Sequence, residues 1–171
     1  MIIIAAGGNL PFQGSPPDTT IARAFDALEA RGDIRVAARS RIYSSPAWPD
    51  PSAPAYANAA ARVETELSPQ DLLARLHAVE EMFGRVRSAD DRWAARTLDL
   101  DLIDHDGRVV DAPDLTLPHP RAAGRAFVLI PLRDAAPDWR SPDGRGLEAL
   151  IAELPADDIA ATTLLQRRST P

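Results

Sequence analysis

Apolar and polar positions along the chain fall into two periods, and their changes mark out the elements. Residues 2 to 6 form an apolar run with the character of a buried strand, followed by the Gly- and Pro-containing loop "GGNLPFQGSPP". Ile21, Phe25 and Leu28 then recur at helical spacing in a helix opening at Asp18, with Gly32 placed as the residue after its end. "IRVAARSRIY" alternates with a period of two, which predicts one strand with a wet face. The four prolines of "SSPAWPDPSAP" forbid a helix or a central strand, so that segment is a loop. Tyr56 to Leu67 alternates again, with Tyr56, Asn58, Ala60 and Arg62 on one side and Ala57, Ala59, Ala61 and Val63 on the other.

Ser68, Pro69 and Asp71 supply an N-cap, a first-turn proline and an acidic N3 residue for a second helix. Leu72, Leu76, Val79 and Phe83 face inward along it, and it ends at Gly84. In "ARTLDLDLIDHD", Leu98, Leu100 and Leu102 share one face of a strand, while Thr97, Asp99, Asp101 and Ile103 share the other. "DHDG" predicts a turn that contains His105, with a short strand at 108–110. The apolar run 126–132 is compatible with helix or strand, and Pro131 limits both. "GLEALIAEL" predicts a helix and 159–165 an edge strand. The succession strand, helix, strand, strand, helix, strand gives an α+β class, a ferredoxin-like βαββαβ core with additional C-terminal helices and a strand. The whole chain, 1–171, is expected to be a single domain.

Composition narrows the function classes. Cysteine is absent, which removes disulfides, thiolate metal sites and thiol nucleophiles and suits a cytoplasmic setting. The opening apolar run is too short for a membrane span and lacks a basic leader, so no membrane partner is expected. A net charge of −6 argues against coating nucleic acid. All 19 cationic residues are Arg, a composition that fits a coding bias and equally fits forked contacts to phosphate.

Position decides between those readings. Two carboxylates about 7 Å apart on one strand face repel by about 2 kcal/mol at an effective dielectric near 20. They need a counter-cation. Arg on a neighbouring strand would serve, and so would Mg²⁺, which takes hard oxygen ligands and is completed by water and substrate phosphates. Arg85, Arg87, Arg92 and Arg96 precede the pair in one loop, together with Trp93, and cations beside carboxylates suit a polyphosphate. No G-x-x-x-x-G-K-[ST] run occurs. Tyr56 and Phe127 are candidates to sandwich a flat heterocycle whose edge Asn58 would read. His119, between two prolines, reads as an exposed histidine or a phosphate contact.

The runs "GRVR", "RW", "RTLDLDLI" and "LPHPRAAGRAF", with "GGNL", "YSSPAW", "YANAA" and "PDG", resemble the pterin pyrophosphokinases of folate biosynthesis. The resemblance implies transfer of the pyrophosphoryl group of ATP to the hydroxymethyl group of 6-hydroxymethyl-7,8-dihydropterin, with release of AMP. It implies two Mg²⁺ held by Asp99 and Asp101, and it makes Arg85 and Arg96 phosphate-binding catalytic residues. Ser45, Pro46, Trp48, Tyr56, Asn58 and Phe127 would bind the pterin. Glu80, Arg85, Arg87, Trp93, Arg96, Thr116, His119 and Arg125 would serve ATP, and the enzyme would be a monomer whose partners are small molecules. Departures from the family pattern lie at Gly8, Ser88, Ala94, Ala95 and Pro120, and bear on loop closure and ATP affinity. A two-metal phosphoesterase using the same acidic pair, or a non-catalytic ligand- or nucleic-acid-binding module, are the competing readings.

Overall fold

The computed structural model describes residues 1–47, 50–85 and 95–166. Its elements run β1 (Ile2–Gly8), α1 (Pro17–Glu29), β2 (Arg35–Arg39), β3 (Tyr43–Ser45), β4 (Tyr56–Glu64), α2 (Pro69–Met82), β5 (Asp99–His105), β6 (Val110–Ala112), β7 (Leu115–Leu117), α3 (Ala126–Ala135), α4 (Leu147–Ala152), α5 (Ala156–Ala161) and β8 (Thr163–Leu164). The main sheet has the order β5-β1-β4-β3-β8, and β2 lies beside β3 along the same edge of β4. Every pairing of β1, β4 and β5 is antiparallel. Taking β2 and β3 as one interrupted strand, the order is that of the expected ferredoxin-like unit. β6 and β7 form a separate hairpin.

Helices cover both faces of the sheet, which is why β1 reads as a continuous apolar run rather than an alternating one. On one face Ile2, Ile4, Ala6, Ala57, Ala59, Ala61 and Val63 pack with Ile21, Phe25 and Leu28 of α1 and Leu72, Leu76 and Val79 of α2. Leu98, Leu100 and Leu102 join this core, as their spacing predicts. On the opposite face Ile3, Ala5, Tyr43, Ala60 and Ile103 pack against Val128, Leu129 and Leu132 of α3 and Leu147, Leu150 and Ile151 of α4. The Ser68 hydroxyl accepts the Asp71 amide at 3.1 Å and opens α2 as predicted.

Several boundaries differ from the sequence reading, each for a tertiary reason. β1 runs on through Gly7 and Gly8, because both are paired with β4. The single strand expected over 34–43 is two. At the break, Ser40 donates its amide to the Ala60 carbonyl at 2.8 Å and accepts the Ala60 amide on its hydroxyl at 2.9 Å. β4 ends at Glu64, and the short strand after β5 begins at Val110, where it can pair with β7. The ambiguous run 126–132 is helical, and the helix, α3, continues past Pro131 to Ala135 with seven of its ten residues buried. In place of an edge strand over 159–165, α5 extends to Ala161 and only Thr163 and Leu164 pair, with β3.

His105 is not in a turn. It is a buried strand residue whose Nε2 meets the Leu67 carbonyl at 3.0 Å. A bulge shifts the β1–β5 register between Ile3 and Ile4, so that Ile3 faces Asp104 and Ile4 faces Leu102. Asp104 is consequently buried and accepts from Trp139 Nε1 at 2.7 Å and from the Gly107 amide at 2.8 Å. Asp106 is the turn residue expected, with φ of 55° and its carboxylate 2.9 Å from the N-terminal amine.

Candidate active site

The face that α3 and α4 cover over Ile3 and Ile103 continues towards the start of β5, and the candidate residues collect there. Gly7 is opposite Asp99 on one side and Asn58 on the other, while Ala5 is opposite Asp101 and Ala60. Tyr56 is opposite Ser45 across β4 and β3. Period-two geometry therefore sets Asp99 and Asp101 on one flank and Asn58, Tyr56 and Ser45 on the other. Between them Gly7 and Ala5 project nothing larger than a methyl group. Strands about 4.8 Å apart place the two flanks roughly 10 Å apart. Such a floor suits a flat ligand with polar edges.

On the amide flank, Asn58 is buried and its Nδ2 donates to Ser45 Oγ at 3.0 Å, which fixes the amide and leaves its oxygen beside Gly7. Tyr56 is half-buried, and burial raises its hydroxyl above the usual range. Pro46 follows β3 and is exposed. Phe127, at the start of α3, is exposed, and the Arg125 guanidinium lies 5.4 Å from its ring centroid.

The acidic flank is asymmetric. Asp99 is held by two cations, Arg85 on Oδ1 and Arg96 on Oδ2. Burial opposes its charge, but these guanidinium groups keep the carboxyl below its ordinary range. The Asp101 carboxylate has no hydrogen bond or ion pair among the described residues, although its backbone pairs with Ala5. Burial, and then the negative charge of Asp99, push it up to about 6. A carboxylate desolvated beside another and without its own partner is poised for a cation. The pair therefore fits a hard divalent ion.

Glu80, wholly buried on α2, ties this flank to the helix. Its Oε1 accepts from Arg85 at 2.6 Å and from the Leu100 amide at 2.7 Å. Sequence reasoning missed the equivalent support for Arg96. Asn9 is buried, its Oδ1 accepts the Arg96 amide at 2.9 Å, and its own amide donates to the Arg96 carbonyl at 3.0 Å. Asn9 Nδ2 also reaches the Pro54 carbonyl at 3.1 Å. The signal was the polar residue of "GGNL" directly after a buried strand.

His119 is half-buried rather than exposed. Its amide donates to the Ile103 carbonyl at 2.9 Å, bringing the segment after β7 against β5. Its Nδ1 accepts the Arg121 amide at 3.2 Å. Burial, then the charges of Arg125 and Arg121, lower the ring below its ordinary range, so it presents Nε2–H as a neutral donor. Arg125 is itself lowered by burial and by Arg121. Thr116 is exposed on β7. Trp48, Arg87, Arg92 and Trp93 lie outside the described residues.

Comparison with known proteins gives the chain its relatives. Residues 3–137 match the family described as 7,8-dihydro-6-hydroxymethylpterin-pyrophosphokinase (HPPK). The 2-amino-4-hydroxy-6-hydroxymethyldihydropteridine pyrophosphokinase of Pseudomonas aeruginosa is 42% identical over 158 residues, covering 92% of this chain and 94% of the relative. The protein of the same name from Haemophilus influenzae is 34% identical over 150 residues, covering 88% and 90%. Among solved structures, the wild-type HPPK-DHPS of Plasmodium falciparum superposes with a TM-score of 0.61 at 10% identity, over 89% of this chain and 44% of that longer one. The chain belongs to the 7,8-dihydro-6-hydroxymethylpterin-pyrophosphokinase family.

Proposed function

We propose that the protein transfers the pyrophosphoryl group of ATP to the hydroxymethyl group of 6-hydroxymethyl-7,8-dihydropterin, releasing AMP, in folate biosynthesis. Family membership and the named relatives support the reaction. The observation that supports its location is the acidic pair, Asp99 and Asp101, facing a small-residue floor with Arg85 and Arg96 alongside. The substrate hydroxyl attacks the β-phosphorus of ATP, the oxygen bridging the α- and β-phosphorus atoms leaves with AMP, and the hydroxyl proton is lost.

Each residue has a role that follows from its position. Asn58, fixed by Ser45, offers an amide to the pterin edge, and Tyr56 and Phe127 offer aromatic faces. Arg85 and Arg96 are shared between Asp99 and the incoming phosphates, where they stabilise the charge that builds at transfer. His119, neutral, and Arg125 extend the donor set along β5 towards the nucleotide. Asp99 and Asp101 would hold Mg²⁺, two ions being expected. When bound, Mg²⁺ neutralises phosphate charge and lowers the pKa of an oxygen it contacts. Catalysis of this kind is chiefly positioning and charge neutralisation.

Incubation with ATP, Mg²⁺ and hydroxymethyl-dihydropterin, followed by chromatography, should reveal AMP only when the pterin is present. AMP formed without pterin, or none at all, would overturn the assignment, and the former would indicate a phosphoesterase.

A further inference from the structure

The loop between β1 and α1 carries an aromatic residue with no place in the chemistry above. Phe12 and Ser15 exchange both amide-to-carbonyl hydrogen bonds at 2.9 Å. Gln13 and Gly14 between them have φ of 47° and 78°. This is a closed two-residue turn of the kind that needs positive φ at both central positions. A non-glycine residue in that region is uncommon, so the turn is held by what it packs against.

What it packs against is the end of α2. The Phe12 ring meets Phe83 edge to face, with centroids 5.7 Å apart. A Cβ built on Gly84 would lie 2.6 Å from Phe12 Cε2, so the ring occupies the space that only glycine leaves. Gly84 also has φ of 79°, and it closes the helix with paired reverse bonds. Its amide donates to the Glu81 carbonyl and the Arg85 amide to the Glu80 carbonyl, both at 3.0 Å. That cap turns Arg85 back, so its guanidinium reaches Glu80 and Asp99. The same loop holds Arg96 through Asn9. Arg85 and Arg96, which ion-pair with Asp99, are therefore both seated by one short loop.

We propose that Phe12 is a positioning residue for Arg85, acting through the Phe83–Gly84 cap, an inference that rests on the pyrophosphokinase reading. Its contacts are with Phe83 and Gly84, and it has none of the substrate or metal roles assigned above. Its contribution is to fix the backbone from which Arg85 departs, so its loss acts only where Arg85 is present to be misplaced.

A double-mutant cycle separates this from a general packing role. Single-turnover AMP formation, with KM for ATP, is measured for wild type, Phe12→Ala, Arg85→Ala and the double variant. Phe12→Ala is expected to lower kcat/KM for ATP about tenfold in the wild-type background and less than twofold in the Arg85→Ala background. Thermal melting run in parallel identifies variants that do not fold, and the milder Phe12→Leu replaces Phe12→Ala in the cycle if needed. Equal losses in both backgrounds, or no loss at all, would overturn the role. Absence of pterin-dependent AMP from wild type would instead remove the activity on which the inference rests, so the two failures are distinct.

Discussion

Glu80 accepts the Leu100 amide proton at 2.7 Å, so a buried helix carboxylate grips the strand at the residue that separates Asp99 from Asp101. The same oxygen takes Arg85 at 2.6 Å. α2, the first arginine and the acidic strand thereby form one rigid unit, and the exposed edge of β5 is occupied at the site.

Removing that carboxylate leaves the buried Leu100 amide without its acceptor and takes from Arg85 one of its two carboxylates. Glu80→Ala should lower stability by about 3–5 kcal/mol, the range for breaking a buried charged pair by deleting one partner. Glu80→Gln keeps an acceptor for Leu100 and should lose less stability, while kcat falls about tenfold, or 1.4 kcal/mol, because Arg85 is no longer held by charge. Urea unfolding and steady-state kinetics on the two variants check both. Equal stability losses would show that the hydrogen bond to Leu100 contributes nothing.

The two aspartates should behave differently when neutralised. Asp99 balances two guanidinium groups, whereas Asp101 is a desolvated carboxylate beside a like charge, with no side-chain partner among the described residues. Asp101→Asn removes an unfavourable buried charge and should leave stability unchanged or raise it by about 1 kcal/mol in metal-free protein. Asp99→Asn leaves Arg85 and Arg96 facing each other and should cost about 2–3 kcal/mol. Both should reduce turnover by at least 100-fold, about 2.7 kcal/mol, if the pair holds Mg²⁺. Thermal unfolding without metal, and calorimetric titration with Mg²⁺ and an ATP analogue, separate the effects. A destabilised Asp101→Asn would contradict the asymmetry.

Much of this site was legible because it lies on elements with strong periodicity. Leu98, Leu100 and Leu102 announced a strand whose other face carries the acidic pair, and Ser68 announced the start of α2. What patterning could not show depends on contacts distant in sequence. Ser40 interrupts an alternating strand because its hydroxyl takes the Ala60 amide twenty residues away. Asp104 looked like part of a turn because the bulge at Ile103 that turns it towards Trp139 leaves no mark in composition. Asn9 carries one of the tightest links in the site, yet a single polar residue after an apolar run has many ordinary explanations.

Gly8 ends β1 directly beneath the chain that delivers Arg96. A Cβ there would lie 2.5 Å from the Thr97 carbonyl oxygen, which is backbone and cannot swing away. Gly8→Ala must displace either β1 or the Arg96–Thr97 segment, breaking the bonds between Asn9 and Arg96. Stability should fall by about 1–3 kcal/mol, the usual cost of overpacking a tight site. KM for ATP should rise together with a drop in kcat. Steady-state kinetics beside a melting curve test this, and wild-type kinetics in a folded Gly8→Ala would show that Arg96 is seated independently of Asn9.

Acid sensitivity should arise in part where α3 is fastened to the sheet. Asp134 receives both arms of Arg41, at 2.9 and 3.0 Å, and the Tyr43 hydroxyl at 3.0 Å. The Arg41 hydrogen bond, opposed by partial burial, holds the Asp134 carboxyl below its ordinary value of 3.8. A carboxyl with a lowered folded pKa stabilises the fold fully above its unfolded pKa, and that contribution disappears as pH falls through the folded one. Asp134→Asn should therefore cost about 1 kcal/mol at neutral pH, a modest figure because Arg41 is largely exposed. Below about pH 4 the difference from wild type should shrink towards zero. Urea unfolding of both proteins between about pH 7 and pH 3 gives the two curves directly. Parallel curves over that range would mean the ion pair does not depress the Asp134 pKa in solution, leaving Tyr43 as the main fastening.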